Sequence, residues 1–321
     1  MKPYSVILYY NYTPIVDTEA YREKHHLFCL DNNLLGRIII AEEGLNGTIS
    51  GLTADCNRYM KWLENDPLFA GTNFDFKVEE HETNAFAKLH VRVKNEIVNS
   101  DLPVNPRLRT GKHLKPADFK QMLKNDPDVV LVDMRSNYEH AVGRFKGAIT
   151  FDMENLRELP DHVEEIAHLK DKKIITYCTG GIKCEKASAY LLDRGFENVY
   201  QLHGGIIKYG LEEGGEDFDG KCYVFDNRVK TNVNSVNPTV VSKCHICKTI
   251  SDHMVNCANP ECNAHLPICP SCLLELDGAC SQQCKEHPRK RPYNAQGYYS
   301  KQSDNYTAEF GFRSRQRTKP M

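Results

Sequence analysis

Hydrophobic residues along this chain come in short runs broken by polar and glycine-containing stretches, the longest being SVILYY (5–10), RIIIA (37–41) and DVVLVDM (128–134). Such runs are strand-sized and fall short of the ~20 apolar residues that span a bilayer, so no membrane association is expected. SVILYY predicts a strand, and TEAYREKHHLFCLDNN (18–33) carries apolar residues at helical spacing. GRIIIAEEGLNGTISG (36–51) predicts two strands joined through a turn containing Asn46-Gly47, a strong hairpin dipeptide. A second helix is expected from Thr53, read as its N-cap, to the Asp66-Pro67 stop, followed by strands in FDFKVEE (74–80) and KLHVRVKNEIV (88–98). The order strand, helix, strand, strand, helix, strand matches a ferredoxin-like split βαβ domain over residues 1–100. Its two helices should cover one face of the sheet and leave the other open.

A linker is expected over 101–117, marked by Pro103, Pro106 and Pro116. Over 118–220 apolar strands (DVVLVDM, KKIITYC, NVYQL) alternate with helical stretches (ADFKQMLKN, GIKCEKASAYLLDRG), which predicts a parallel α/β sheet covered on both faces. A connector over 221–243, a cysteine-rich module over 244–287 and a tail over 288–321 complete the chain. The fold class is therefore mixed α/β and α+β, in three parts.

Composition narrows this only where it is uneven. A formal net charge of −2 says little about partners, but residues 285–321 carry nine Lys/Arg against three Asp/Glu, interleaved with Tyr293, Tyr298, Tyr299, Tyr306, Phe310 and Phe312. That combination suits RNA, by phosphate neutralisation and base stacking, as well as it suits a solvated tail. Eight of the thirteen cysteines fall between Cys244 and Cys284 as the close pairs Cys244/Cys247, Cys257/Cys262, Cys269/Cys272 and Cys280/Cys284. Close pairs in a segment with too little apolar mass to fold alone read as ligands of structural zinc, two ions for eight thiolates. First-with-third and second-with-fourth pairing would make a cross-brace; sequential pairing, or substitution by His245, His253, His265 or His287, stays open. The N-terminus lacks the pattern of a signal peptide, so a cytoplasmic location is expected.

The chemistry concentrates in KIITYCTGGIKCEKASAYLL (173–192). A buried strand ending in Cys178, a loop of Thr179, Gly180, Gly181, Ile182 and Lys183, and then a helix would place the thiol among backbone N–H groups at a helix N-terminus. Oriented amides, the helix dipole and Lys183 favour thiolate there, which makes Cys178 the candidate catalytic residue. Cys184 is a candidate resolving thiol or a residue packed beneath the loop. Asp133 and Arg135 read as braces of the loop region. Glu42, Glu43 and Asn46 read as polar residues around a hairpin before they read as catalytic groups. Lys88, Arg92 and Lys94 lie on one face of a predicted strand, a candidate RNA-binding stripe or a solvated edge. His25-His26 is placed at the surface.

LVDMRSNYEHAVGRFKGAI (131–149) and YCTGGIKC resemble the rhodanese signature and active loop, whose cysteine carries a persulfide. Related phosphatases need arginine six residues after the cysteine, where this chain has Cys184, so phosphatase activity is not expected. AEEGLNGTISG, KLHVRVKNEIV, YCTGGIKCEKASAYL, HGGIIKY (203–209) and KCYVFDNRV (221–229), in this order, resemble the rhodanese-related tRNA uridine hydroxylase family. The resemblance implies oxygen-dependent conversion of the wobble uridine of tRNA to 5-hydroxyuridine, with molecular oxygen as co-substrate. One departure is Lys183, where that family often has arginine; lysine keeps the charge and loses the planar fork. Two other readings remain at this level: a sulfurtransferase passing persulfide sulfur from Cys178, and a zinc-dependent interaction protein with a redox-sensing loop.

Overall fold

The computed structural model describes residues 2–293 and 295. The chain forms two compact units, Met1–Val240 and Val241–Met321. The first unit opens with β1 (Tyr4–Asn11), α1 (Thr18–Asp31), β2 (Leu35–Ala41), β3 (Gly44–Leu52), α2 (Thr53–Glu64), β4 (Lys77–His81) and β5 (Leu89–Val93), the last two being the strands expected in 74–80 and 88–98. The sheet runs β4-β1-β3-β2-β5, with β2–β5 its parallel pair. Alternation along β1 sends Ile7 and Tyr9 into a core with Tyr21 and Cys29 of α1 and Tyr59 and Leu63 of α2. Leu8 and Tyr10 face the opposite way.

Four expectations change here. Thr53 is the first residue of α2 and not its N-cap, which is Leu52 and makes no side-chain capping bond. The hairpin turn is Glu42-Glu43, closed by the Ala41–Gly44 pair, and Asn46-Gly47 lies within β3. Gly44 has φ +148° and a Cβ there would lie 2.0 Å from the Asn11 carbonyl oxygen, while a Cβ on Gly47 would lie 2.2 Å from Tyr9 Oη. Close approach of backbone and ring, not turn geometry, demands glycine at both positions. His25 is fully buried, not at the surface: Tyr21, His25 and Cys29 form the inward row of α1, and His25 Nε2 meets Tyr59 Oη at 3.1 Å. Burial holds its pKa down at about 3, so the ring is neutral. The sheet face opposite the helices is not open, as the site below shows.

The chain continues through β6 (Lys112–Leu114), α3 (Pro116–Asn125), β7 (Val129–Asp133), α4 (Asn137–His140), β8 (Gly143–Phe145), β9 (Ile149–Thr150), α5 (Leu159–His162), β10 (Lys173–Tyr177), α6 (Ile182–Asp193), β11 (Asn198–Leu202) and α7 (Gly205–Glu213). The parallel sheet β6-β11-β10-β7-β9 is covered on both faces. Val132 and Ile174 pack with Ala187 and Leu191 of α6 on one side. Leu131 and Ile175 pack with Phe119 of α3 and Ile206 of α7 on the other, which is why these strands read as unbroken apolar runs. β12 (Phe218–Gly220) pairs with β8, and β13 (Cys222–Tyr223) pairs with β14 (Lys230–Thr231).

The second unit contains the hairpin β15 (Met254–Asn256) and β16 (His265–Pro267), then α8 (Pro270–Glu275) and α9 (Gln282–Lys285). Its apolar core is small, built on Val255, Ile268 and Leu273. No helix among the described residues is long and apolar enough to cross a membrane. Tyr298, Tyr299, Tyr306, Phe310 and Phe312 of the tail lie outside the described residues.

Candidate active site and paired cysteine clusters

β10 ends at Tyr177 and α6 begins at Ile182, so Cys178 to Gly181 form the tight loop between them. Gly181 takes φ +99°, a left-handed conformation that turns its N–H inward, and this N–H donates to Cys178 Sγ at 3.2 Å. A second helix clamps the same loop from outside. The first amides of α7, on Ile206 and Ile207, donate to the carbonyls of Cys178 (3.0 Å) and Thr179 (3.1 Å). A Cβ on Gly205 would lie 2.5 Å from the Cys178 carbonyl oxygen, so the HGGIIKY stretch supplies a helix start that can seat against the loop.

Cys178 is 1% exposed, and burial alone would disfavour its thiolate. The hydrogen bond from Cys184, the charge of Lys183 and the N–H groups of Lys183 and Cys184 outweigh burial and bring its pKa from 9.0 down to about 7. Cys184, buried behind it and sharing that hydrogen bond, is pushed well up by burial and by the neighbouring sulfur. The pair thus holds one ready thiolate and one proton. Lys183 Nζ is held 2.5 Å from Glu139 Oε2, and Glu139 is also reached by Thr179 Oγ1 at 3.4 Å. Behind Glu139 lies a fully buried bidentate pair, Arg135 with Asp133, at 2.9 and 2.6 Å. Arg135 also donates to the Gly143 carbonyl at 2.7 Å, so this pair joins β7 to β8 beneath the loop.

The rear face of the first sheet closes over this loop. A Cβ on Gly180 would lie 2.6 Å from Leu8 Cδ2, and one on Gly181 3.0 Å from Tyr10 Oη. Tyr10 donates to Glu185 Oε1 at 2.8 Å, and that carboxylate is also held by His113 at 2.8 Å and Gln201 at 3.1 Å. Glu185 is buried, yet these partners hold its pKa below the ordinary glutamate value, and the same contact raises that of His113. Lys77, opposite Leu8 on β4, is buried with Nζ 5.2 Å from the Tyr10 ring centre and 3.4 Å from Asp75. Lys186 of α6 is buried between Glu43 (2.9 Å) and Glu96 (2.7 Å), and Lys208 of α7 reaches Asp75 at 2.5 Å. All three ion pairs join the two sheets' domains.

Glu139 falls within the rhodanese signature of 131–149, but none of Tyr10, Lys77, Glu185 or Lys186 stands out in the sequence as part of this site. The one cue is that SVILYYNY puts polar-tipped tyrosines on the strand face left unpaired by the helices. Glu43 and Asn46 both bind the backbone of Ile97, through its N–H at 2.8 Å and its carbonyl at 3.0 Å, and Glu42 is exposed. Lys88, Arg92 and Lys94 are exposed along β5 and just beyond its ends. Because Arg92 lies opposite Ile39 of β2, it shares the sheet face that carries Leu8 and Tyr10.

In the second unit, Cys244, Cys247, Cys269 and Cys272 form one group and Cys257, Cys262, Cys280 and Cys284 another, each with its sulfurs within 4.8 Å of one another. The pairing is interleaved, and neither His245, His253, His265 nor His287 joins a group. Metal–sulfur bonds of ~2.3 Å in a regular tetrahedron set sulfur–sulfur edges of about 3.8 Å. The contacts Cys247–Cys269, Cys262–Cys280 and Cys280–Cys284 measure 3.6, 3.7 and 3.8 Å. Backbone N–H groups of Cys269 and Cys280 donate to Cys244 and Cys257 Sγ at 3.3 and 3.4 Å, the bonds that metal-bound thiolates accept. Both groups could therefore hold a metal ion.

Three family models match in sequence: the UPF0176 acylphosphatase like domain over residues 4–97, the rhodanese-like domain over 115–212 and the rhodanase C-terminal region over 219–285. A protein of Cytophaga hutchinsonii named tRNA uridine(34) hydroxylase is 61% identical over 307 residues, covering 95% of this chain and 97% of that protein. Proteins of the same name from Bacillus mycoides and Staphylococcus saprophyticus are 46% and 47% identical, each covering 90% of this chain and 92% of the relative.

Proposed function

The chain belongs to the tRNA uridine(34) hydroxylase family, and on that footing we propose that it hydroxylates the wobble uridine of tRNA with molecular oxygen, using Cys178 as the reacting group. The observation that carries the cysteine's part is its environment: a buried thiol held near pKa 7 by N–H groups and a cation, in direct contact with a second thiol. Hydroxylation by oxygen needs two electrons beyond those of the uridine C–H bond. One C5–H, one O2 and two thiols give one C5–OH, one water and one disulfide, so Cys178 and Cys184 together balance the reaction, and a cellular thiol resets them. In this reading Lys183 and the loop amides stabilise anionic sulfur, Glu139 orients Lys183, and Thr179, Gly180, Gly181 and Ile182 shape the cradle. A target base inside folded tRNA must be turned out to meet such a group. Leu8 and Tyr10 must also part from the loop, because the sulfur is 1% exposed.

The eight clustered cysteines are read as ligands of two structural zinc ions, whose binding free energy folds a unit with little apolar core. The substrate and the thiol chemistry fit a cytoplasmic location.

The test is nucleoside mass spectrometry of tRNA from cells with the gene intact, deleted, or carrying Cys178→Ala or Cys184→Ser. Loss of 5-hydroxyuridine derivatives in all three altered strains is the expected result. Retention with Cys184→Ser would remove that thiol from the redox step, and retention with Cys178→Ala would overturn the proposal.

A further inference from the structure

Residues 222–231 fold as a short hairpin fastened to the first sheet at several points. Asn227 N–H donates to the Ala85 carbonyl at 2.9 Å, Arg228 reaches Glu79 at 3.1 Å and Asp226 at 2.7 Å, and Arg37 of β2 donates to the Phe225 carbonyl at 3.2 Å. Fastened this way, the hairpin still leaves Phe225 42% exposed, the one aromatic ring among the large exposed hydrophobic side chains of the described residues. Phe225 does not stand alone. Tyr223 packs edge-on to it at 5.3 Å and Tyr138 edge-on to Tyr223 at 5.1 Å, forming a row of three rings. Lys183 of the cysteine loop places Nζ 5.9 Å from the Phe225 ring centre, so the row ends at the loop itself.

On the sheet side the row has cations of two kinds: Arg228 is paired with Glu79 and Asp226, whereas Arg37 is not paired. Arg37 is exposed, has no carboxylate within 4.0 Å among the described residues, and lies opposite His90 in the β2–β5 pair; Arg92 follows two residues later on the same face. An exposed ring fastened beside Lys183, with Arg37 bonded to the Phe225 carbonyl and Arg92 on the same sheet face, has the features of a single-stranded RNA platform: a π-face for a base and cations for the neighbouring phosphates. Burial of an apolar protein partner would instead call for a wider apolar surface with few charges at its centre.

Resting on the tRNA reading above, we propose that Phe225 stacks on a nucleotide base flanking the wobble uridine, with Arg37 and Arg92 on the adjoining phosphates. The ledge holds the anticodon loop in register so that the turned-out uridine enters beside Lys183. The bonds of the hairpin to the first sheet hold Phe225 in place before the base arrives, which lowers the ordering cost of binding.

The experiment uses the full chain and an unmodified anticodon stem-loop RNA with 2-aminopurine next to the target uridine. Stacking on Phe225 quenches the probe on binding. Phe225→Ala is expected to abolish that quench and to raise Kd by about 5- to 100-fold, the range set by losing one base–aromatic stack. Phe225→Trp should restore both, which a merely structural role for the ring would not. Arg37→Ala should lower the slope of log Kd against log salt by about one. Wild-type binding with the quench, together with Phe225→Ala binding within twofold of it, overturns the ledge and leaves the hydroxylase reading intact. A wild-type chain that binds no stem-loop and forms no 5-hydroxyuridine overturns both.

Discussion

Replacing Lys183 by methionine should show how much of the cysteine's reactivity is electrostatic. The thiol of Cys178 lies at about 7 against an ordinary 9.0. That difference corresponds to about 3 kcal/mol of preference for thiolate, after burial has taken its opposing share. Lys183 is the second of the groups that lower it, after the Cys184 hydrogen bond, so its loss should raise the pKa by at least about one unit. The thiolate fraction at pH 7 then falls from about one half to about one tenth, and loss of all favourable contacts, with burial left unopposed, would take it below about one hundredth. Methionine also strands Glu139, a buried carboxylate whose cation has gone, which pushes the thiol the same way. Adding Glu139→Gln to Lys183→Met should therefore bring the pKa partly back down. The assay is ultraviolet thiolate absorbance against pH, taken as the difference from Cys178→Ser so that the signal of the other twelve cysteines cancels. Because the folded pKa lies below the unfolded one, the stability this thiol contributes is present above pH ~9 and is lost as pH falls through 7. An inflection in Lys183→Met within a few tenths of a unit of wild type would refute the assignment of the cation to this sulfur.

Two further outcomes follow from other parts of the chain. Arg135→Met leaves Asp133 buried without its bidentate partner, so denaturant unfolding should show a loss of about 3–5 kcal/mol; a loss under ~1 kcal/mol would mean that the pair contributes little to the loop's support. Metal analysis should find two zinc ions per chain, and Cys257→Ser should reduce this to one. Chelation should abolish the ordered structure of residues 241–293 as seen by proteolysis, and a cysteine-rich unit that stays protease-resistant without metal would contradict the zinc reading.

Much of this organisation is legible in local patterns. The parallel sheet was readable because both its faces are buried, which forces continuous apolar strands. The cysteine loop was readable because a strand end, two glycines, a cation and a helix start must be consecutive to make an anion cradle. The cysteine groups were readable as candidate metal sites because eight thiols in so short a stretch have no apolar alternative.

What the sequence could not decide depended on which surfaces meet. Asn46-Gly47 has the chemistry of a turn, but the space under Tyr9 needs a glycine in mid-strand, and the chain turns at Glu42-Glu43 instead. His25 looks like a surface residue until α1 turns it onto Tyr59 and Trp62. The interleaved cysteine pairing follows from chain return, which spacing leaves open. Above all, the sheet face expected to be open closes over Cys178, bringing Tyr10 to Glu185 across 175 positions of chain and Lys186 to Glu96 across 90. Sequence periodicity says which residues share a face; only tertiary packing says what that face touches, because contacts between distant segments are selected by the shape and charge of whole surfaces.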